Sequence, residues 1–527
     1  MMAVAMTGIS SRYAGRWLLF AACVLIGLLN EVSGGVLTVA LPQLKGELGV
    51  SQVGGQLILT TAKLFFGALI LAGGALGDVY GRKRMLLLGV IVVTVASVLS
   101  AIAGSEGALM TARALDGIGN AMVGPLALAM AVGSFADDQR ARIVSLFAGF
   151  SALGMALGPL GASMLVQELG WRLGFLSPLL IGIVGGLGVL VLGHEAKSAG
   201  EVRRVDYVGA VLCAAGLLGL VFGCARATEA GWLSRAVMLP VGLGVLSLTV
   251  FSWWERRTRH PLLDIRLFKN RTIFIAIIVV IAISLSVSGS FLPLFYFLQT
   301  GQHLDPVGAV VRLLPLVLTA AALAPVVGMA ATRVGHRRTI VAGLLVAATG
   351  SAVLAGALDP YTAYPVLLVS LMLLGAGNIA VIGPAQDLLL GSVPPERRGG
   401  AAALGSAAIQ IGGALGIPIM VSTLLATARP VFYEQMRQVT GLTDQEIRHA
   451  VATIRRGMQE ATTERAFEVP AALRAQIREA SEVAFGIGVG RCFLVAAIAC
   501  VVCAILVWVG AQRHAQEVSD RPSPRAT

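Results

Sequence analysis

The chain has 527 residues, of which 56% are hydrophobic and only 13% charged, with a mean hydropathy of +0.83. Soluble proteins carry about 25% charged residues, so a soluble globular protein is excluded. The net charge of +12 does not mark a nucleic-acid binder either, because it is sorted by loop rather than gathered on one surface.

Apolar runs of the length that a hydrocarbon core roughly 30 Å thick demands of a helix recur along the chain, whereas the short alternating segments of a β-barrel are not seen. Fourteen spans are predicted: 17–42, 52–77, 84–103, 107–134, 144–166, 174–193, 207–227, 236–254, 272–298, 307–331, 338–357, 362–388, 400–426 and 486–510. The expected fold class is an all-α polytopic membrane protein. One long polar insertion, 427–485, interrupts the pattern. Thr443 and Glu446 in it have capping-box spacing, and Ile447, Val451, Ile454 and Met458 form one apolar stripe, which predicts a small amphipathic helical cap.

If residues 1–16 begin inside, the short loops on that side hold nineteen arginines and lysines, from Arg82, Lys83 and Arg84 to Arg397 and Arg398. The opposite short loops hold Lys45, Arg172, Arg226 and Arg235. This positive-inside asymmetry places both termini in the cytoplasm of a cell bounded by this (plasma, or inner) membrane. No small-residue cleavage site precedes the first span, so no cleaved signal peptide is expected.

Internal repetition organises the spans. GGALGDVYGRKR at 73–84 is echoed by GMAATRVGHRR at 328–338, with Gly74 and Gly328 offset by 254. GIGNAMVGP at 117–125 is echoed by GAGNIAVIGP at 375–384, and Gly154, Gly158 and Pro159 by Gly412, Gly416 and Pro418, with offsets of 258 from Gly117 to Gly375 and from Gly154 to Gly412. The expected domains are a six-helix bundle over 1–194, a linker with two additional helices over 195–271, and a second six-helix bundle over 272–527. The last carries the extracytoplasmic insertion 427–485 and a cytoplasmic tail, 511–527. Repeats of this kind mark transporters whose site lies between the halves near the midplane.

At the joint of the second and third spans, Gly74 and Gly81 permit close approach and a tight turn. Beside Arg82 and Lys83, Asp78 can there pair with basic groups or with the amides of a neighbouring helix's N-terminus. Contacts that form when helices close and break when they part suit a cytoplasmic gate. Stop-transfer charge alone accounts for the basic residues but not for the glycines, the aspartate or the echo.

Four ionisable residues lie deep in predicted spans. Glu31 and Lys63 each fall about 16 Å from the outer end of their helix at 1.5 Å per residue, and Asp116 about 14 Å, with Arg113 one turn away on the same face. Each costs about 2.5–3.5 kcal/mol alone at mid-membrane, so they are expected to face inward and share partners. One reading is a proton-coupling cluster, in which a moving cation loads and unloads a proton on Glu31 or Asp116. The other is a static ion-pair cluster that holds the bundle together.

Gly74-Ala-Leu76-Gly-Asp78-x-x-Gly81-Arg82-Lys83-Arg84 resembles the cytoplasmic-loop signature of the major facilitator superfamily. Arg113-x-x-Asp116-Gly117-x-Gly119 resembles its helix-four motif, where the family usually has glutamine at the place of Asp116. Gly154-x-x-x-Gly158-Pro159-x-x-Gly161 resembles the helix-five antiporter motif of its exporters. Ala40-Leu41-Pro42, Trp171-Arg172 and fourteen spans resemble the drug:proton antiporters with fourteen transmembrane helices. The resemblance implies alternating access with efflux driven by inward proton flow, and a seal against proton leak at Gly154, Gly158, Pro159 and Gly161, where the proline is expected to kink the helix. That family has an aspartate nine residues before the proline of Ala-Leu-Pro. Here this is Ser33, and Glu31, two residues earlier, lies about 200° around the helix.

No P-loop is present to bind ATP. His194, His260, His303, His336, His449 and His514 lack metal-ligand spacing, and Cys500-x-x-Cys503 lies inside an apolar span. No cofactor, no metal and no enzyme activity are expected. The partners expected are a small-molecule substrate, protons and the lipid bilayer, without nucleic acid and with the chain as a monomer. Three functions stand: a proton-coupled multidrug antiporter conferring antibiotic resistance, with small amphipathic or cationic substrates; a dedicated exporter of one endogenous metabolite or lipid; and a non-transporting membrane sensor or scaffold.

Overall fold

A computed structural model describes residues 2–135, 139–195, 206–258, 261, 263, 265–393, 398–438 and 471–519. The described residues form fifteen α-helices and one short 3₁₀ turn, without strands. In chain order the helices are α1 (Met2–Gly27), α2 (Leu29–Leu48), α3 (Gln52–Tyr80), α4 (Arg82–Ala101), α5 (Glu106–Gly133), α6 (Arg140–Gly174), α7 (Ser177–Leu192) and α8 (Tyr207–Ala230). They continue as α9 (Arg235–Glu255), α10 (Arg271–Thr300), α11 (Pro306–Val334), α12 (His336–Ala357), α13 (Tyr364–Gly391), α14 (Arg398–Gln438) and α15 (Ala471–Ser519). Capping side chains start several of them. Ser51, Ser105, Asp206, Asn270 and Asp305 accept from backbone N–H groups of the first turn of α3, α5, α8, α10 and α11, which satisfies donors the helix itself cannot.

Twelve of the described spans are long and apolar enough to cross a membrane on their own. α1 and α2 form one of them, interrupted at Leu28. The segments Leu157–Gly174 and Ser177–Leu192 pass the same test together, bent by 78°. That bend falls at the break between Gly174 and Ser177. Within α6 itself the non-helical residue is Gly170, at φ 80° and ψ 165°, whereas Pro159, where a kink was expected, keeps helical torsions. α14 and α15, at 41 and 49 residues, run beyond the spans predicted at 400–426 and 486–510. The cap predicted around Thr443–Met458 lies outside the described residues.

The sequence echo has a physical counterpart in close backbone approaches. A side chain at Gly117 on α5 would meet the Ala62 carbonyl of α3, and one at Gly375 on α13 would meet the Leu316 carbonyl of α11. Gly89 and Gly119 press α4 on α5 as Gly343 and Gly377 press α12 on α13. Gly35 meets Gly158 and Pro159, and Gly289 meets Gly416. The turns match as well: Gly81 at φ 104° and Gly335 at φ 97° each donate to the carbonyl four residues back, a backbone shape that favours glycine. The change of offset from 254 to 258 is also located. α12 is two residues longer than α4, at 22 against 20, and the loop after it is two longer.

Small residues let these helices touch without the hydrophobic drive that water supplies. At the end of the molecule away from the Arg82-Lys83-Arg84 turn, one apolar cluster joins residues of α2, α3, α5 and α6 to residues of α10, α11, α13, α14 and α15, from Val36 to Ala496. At the basic end the packing divides into two clusters, one built on α1, α4, α5 and α7 and the other on α10, α12, α13 and α15. α8 leans on α3 and α14 through Leu217, Val221 and Ala225. α9 packs chiefly on α8 and has 17% of its apolar window buried, against 83% for α3, which places α9 on the rim and α3 at the centre.

Candidate functional site

The four deep ionisable residues come from α2, α3 and α5. The interruption at Leu28 gives α2 its own start, so Glu31 lies in the first turn of a helix that begins within the span, where exposed N–H groups favour negative charge. α6 presses on that turn: a Cβ at Gly158 would lie 3.1 Å from the Glu31 carbonyl oxygen, and one at Gly35 would lie 2.8 Å from the Pro159 nitrogen. Gly154 receives the Leu28 side chain, whereas Gly161 faces open space. On the other side, Gly117 brings α5 against α3 beside Lys63.

Arg113 and Asp116, one turn apart, form an ion pair of 3.0 Å. It is nearly sealed, with Arg113 4% and Asp116 2% exposed. Ser33 of α2 completes it: Arg113 donates to Ser33 Oγ at 2.6 Å, and that hydroxyl donates to Asp116 Oδ2 at 3.1 Å. Asn120 donates to Asp116 Oδ1 at 3.1 Å. Arg113 Nε has no partner among the described residues. Glu31 and Lys63 form the looser part. Glu31 accepts from Asn30 at 3.0 Å and is half-buried. Lys63 lies within electrostatic reach of Glu31, which attracts it, and of Arg113, which repels it, without closing an ion pair with Glu31. A Cβ at Gly413 of α14 would come within 3.7 Å of Lys63 Nζ, so Lys63 stands at the seam with the second set of helices. The expected cluster therefore exists as a closed network of three helix-borne groups with an asparagine, and a partly open pair beside it.

The equivalent positions of the repeat carry no charge. Glu31, Ser33 and Lys63 correspond at an offset of 254 to Leu285, Val287 and Val317, and Arg113 and Asp116 at 258 to Leu371 and Leu374. Val287, Leu371 and Leu374 line a narrow apolar cavity there.

The residues expected to form the gate meet the end of α7 and the residues just after it. A side chain at Gly81 would strike Glu195, which follows α7. Glu195 accepts from the Lys83 N–H at 3.2 Å and lies 3.7 Å from Arg84, and Lys83 Nζ donates to the Leu190 carbonyl at 2.8 Å. Arg82 lines a cavity with Arg16 and His194. The close approach expected of Gly74 is made instead by its neighbour Gly73, against the Ala121 carbonyl. The Asp78 side chain lies outside the described residues. Glu195 was not singled out in the sequence, because a lone acid at a helix end carries no periodic signal.

At the far end, Trp171 and Arg172 meet the helix that carries Ala40-Leu41-Pro42. Glu47 accepts from the Trp171 indole at 3.0 Å and from Arg172, and Gln43 accepts from the Trp171 N–H at 3.1 Å. Arg172 stacks over the Trp171 ring at 4.1 Å. Nearby, Gln56 of α3 is 2% exposed, lacks a partner for either amide atom among the described residues, and lines a pocket with Lys45, Tyr296, Thr300 and Phe485.

The family model described as Major Facilitator Superfamily matches residues 23–417, most of the chain. The chain belongs to the major facilitator superfamily. It is 32% identical over 409 residues to the puromycin resistance protein pur8 of Streptomyces alboniger, covering 77% of this chain and 81% of that one. It is 29% identical over 393 residues to the multidrug resistance protein Stp of Mycobacterium tuberculosis, covering 74% and 72%. Its fold is similar to a bacterial homologue of the human lysosomal transporter Spinster, with a TM-score of 0.63 at 18% identity over 97% of this chain and 99% of that one. This superfamily member is thus a multi-pass membrane transporter of small molecules.

Proposed function

We propose that the chain is a proton-coupled exporter of small amphipathic or cationic compounds, working as an antiporter by alternating access in the plasma membrane. The observation that carries this reading is the sealed Ser33–Arg113–Asp116 network with Glu31 and Lys63 beside it. A carboxylate held against a guanidinium deep in a span is costly to place there and is positioned to exchange a proton when the helices move. The resistance proteins among its relatives support export. Each charge moved inward along a membrane potential yields about 2.3 kcal/mol per 100 mV, which one or two protons turn into modest uphill export.

In this reading the chain has fourteen spans, because α6 and α7 run past opposite lengths of α1–α2 and each crosses once. Two six-helix bundles, 1–194 and 272–527, flank the α8–α9 linker, and the basic end and both termini face the cytoplasm. The apolar cluster common to both bundles at the far end, with separate clusters at the basic end, supports an inward-facing state. The turn at Gly81, Arg82 and Lys83 is then the cytoplasmic gate in its parted form, with Asp78 on the same turn.

A second reading, a dedicated exporter of a single compound, is favoured by the relative named as a puromycin resistance protein. Cells producing the full chain are expected to expel ethidium and to survive puromycin together with unrelated cationic drugs, and a protonophore is expected to abolish both effects. Resistance confined to one compound would select the dedicated exporter. Efflux indifferent to the protonophore would refute proton coupling.

A further inference from the structure

Ser33 and Asp116 are 83 residues apart in sequence, sit on different helices, and each is 2% exposed, yet their side chains touch at 3.1 Å. Arg113 Nη1 reaches both, at 2.6 Å and 3.0 Å. The serine oxygen and the carboxylate oxygen therefore occupy adjoining places before one guanidinium. A carboxylate built on either Cβ would face it, provided the other position shrank by the same number of atoms.

The hydroxyl suits both charge states of its neighbour. At present Ser33 Oγ accepts from Arg113 and donates to Asp116. Once a proton from water forms an O–H bond on Asp116, that group donates, and Ser33 Oγ accepts from both sides, since a hydroxyl has two lone pairs and a rotatable hydrogen. When the O–H bond breaks to water, the first arrangement returns. No other element crowds the pair with charge. α4 has no titratable residue between Met85 and Ala101, α6 has none between Ile143 and Gln167, and the apolar part of α1 from Trp17 brings only Cys23. Among charged groups, Lys63 of α3 lies within electrostatic reach of Arg113, and Glu31 of α2 lies beyond it, within reach of Lys63.

We propose that the proton-exchanging carboxylate is Asp116, presented across the α2–α5 seam against Ser33, and that the mechanism needs a carboxylate at this seam rather than on one particular helix. Asp116 is then the residue protonated, and Ser33 is a positioning residue. The proposal rests on the proton-coupled reading above.

The test uses full-length protein in liposomes with an imposed pH gradient and ethidium as the probe. Three variants are compared with the unmodified chain: Asp116→Asn, the reciprocal exchange Ser33→Asp with Asp116→Ser, and Glu31→Gln. Asp116→Asn is expected to lower gradient-driven ethidium accumulation by about a hundredfold or more, as loss of a proton-transfer group does, while downhill equilibration persists. The exchange conserves atoms and charge, and is expected to recover accumulation to within about tenfold of the unmodified chain. Glu31→Gln, which leaves the Asp116 carboxylate in place, is expected to lower accumulation less than Asp116→Asn does.

A folded exchange variant as inactive as Asp116→Asn overturns the seam. Full coupling in Asp116→Asn, or loss confined to Glu31→Gln, overturns the assignment of the carboxylate. The pH dependence of the melting temperature between about pH 5 and about pH 9 reports the same carboxylate without any substrate. A pH-dependent shift present in the unmodified chain and the exchange variant but absent from Asp116→Asn supports the seam even where ethidium is not driven by the gradient, and that last result defeats the proton-coupled reading alone. A shift unchanged in Asp116→Asn overturns the proposal.

Discussion

Removing one member of a buried ion pair strands the other. Arg113→Ala leaves the Asp116 carboxylate facing Ser33 and Asn120 without its cation, a change that costs about 3–5 kcal/mol in buried pairs. A lowered melting temperature and a poor yield in detergent are expected. Arg113→Met combined with Asp116→Leu removes both charges, so it is expected to melt close to the unmodified chain while failing to accumulate substrate along a pH gradient. That combination separates a stabilising ion pair from a working one. The pair itself was legible in the sequence, because three residues along a helix bring Arg113 and Asp116 onto one face. Ser33 was not, since a serine within an apolar helix resembles any other and its partner lies on another helix. Depth arithmetic placed Glu31 and Lys63 near the midplane but could not say that they stop short of an ion pair.

Along a helix, what matters is which glycine faces a neighbour. A methyl at Gly158 would lie 3.1 Å from the Glu31 carbonyl, while Gly161, three residues on, has nothing within 4 Å. Gly158→Val is therefore expected to displace the first turn of α2 and cut efflux severely, whereas Gly161→Ala changes stability by no more than about 0.5 kcal/mol; melting curves and dye efflux check both. At the turn after α3, Gly81→Ala is strained by its φ of 104° and drives a methyl into Glu195. It costs about 1–2 kcal/mol for the left-handed backbone alone, and the neutralising Glu195→Ala is expected to recover part of the loss in a melting assay. Element existence was legible from apolar run length. Direction of bending was not: Pro159 carries the familiar signal of a kink, but α6 leaves helical torsions at Gly170 and the chain turns into α7 after Gly174.

Across the whole molecule, the unequal packing of the two ends predicts unequal access. Cysteines placed at Leu59 or Leu292, inside the shared cluster's far-end pocket, are expected to resist a membrane-impermeant maleimide added outside resting cells and to react once the outer end opens during transport. Equal labelling in both conditions would argue against an inward-facing rest state. The repeat was readable because glycines that brace helix against helix tolerate little change, so Gly117 and Gly375 kept their places. The ionisable residues did not. Where one copy holds glutamate, lysine, arginine and aspartate, the other holds Leu285, Val317, Leu371 and Leu374. Voltage across the membrane can exert force only on charge. In the proton-coupled reading proposed above, electrical work at these four positions falls on the first bundle alone, an engine with a single piston driving a symmetrical frame.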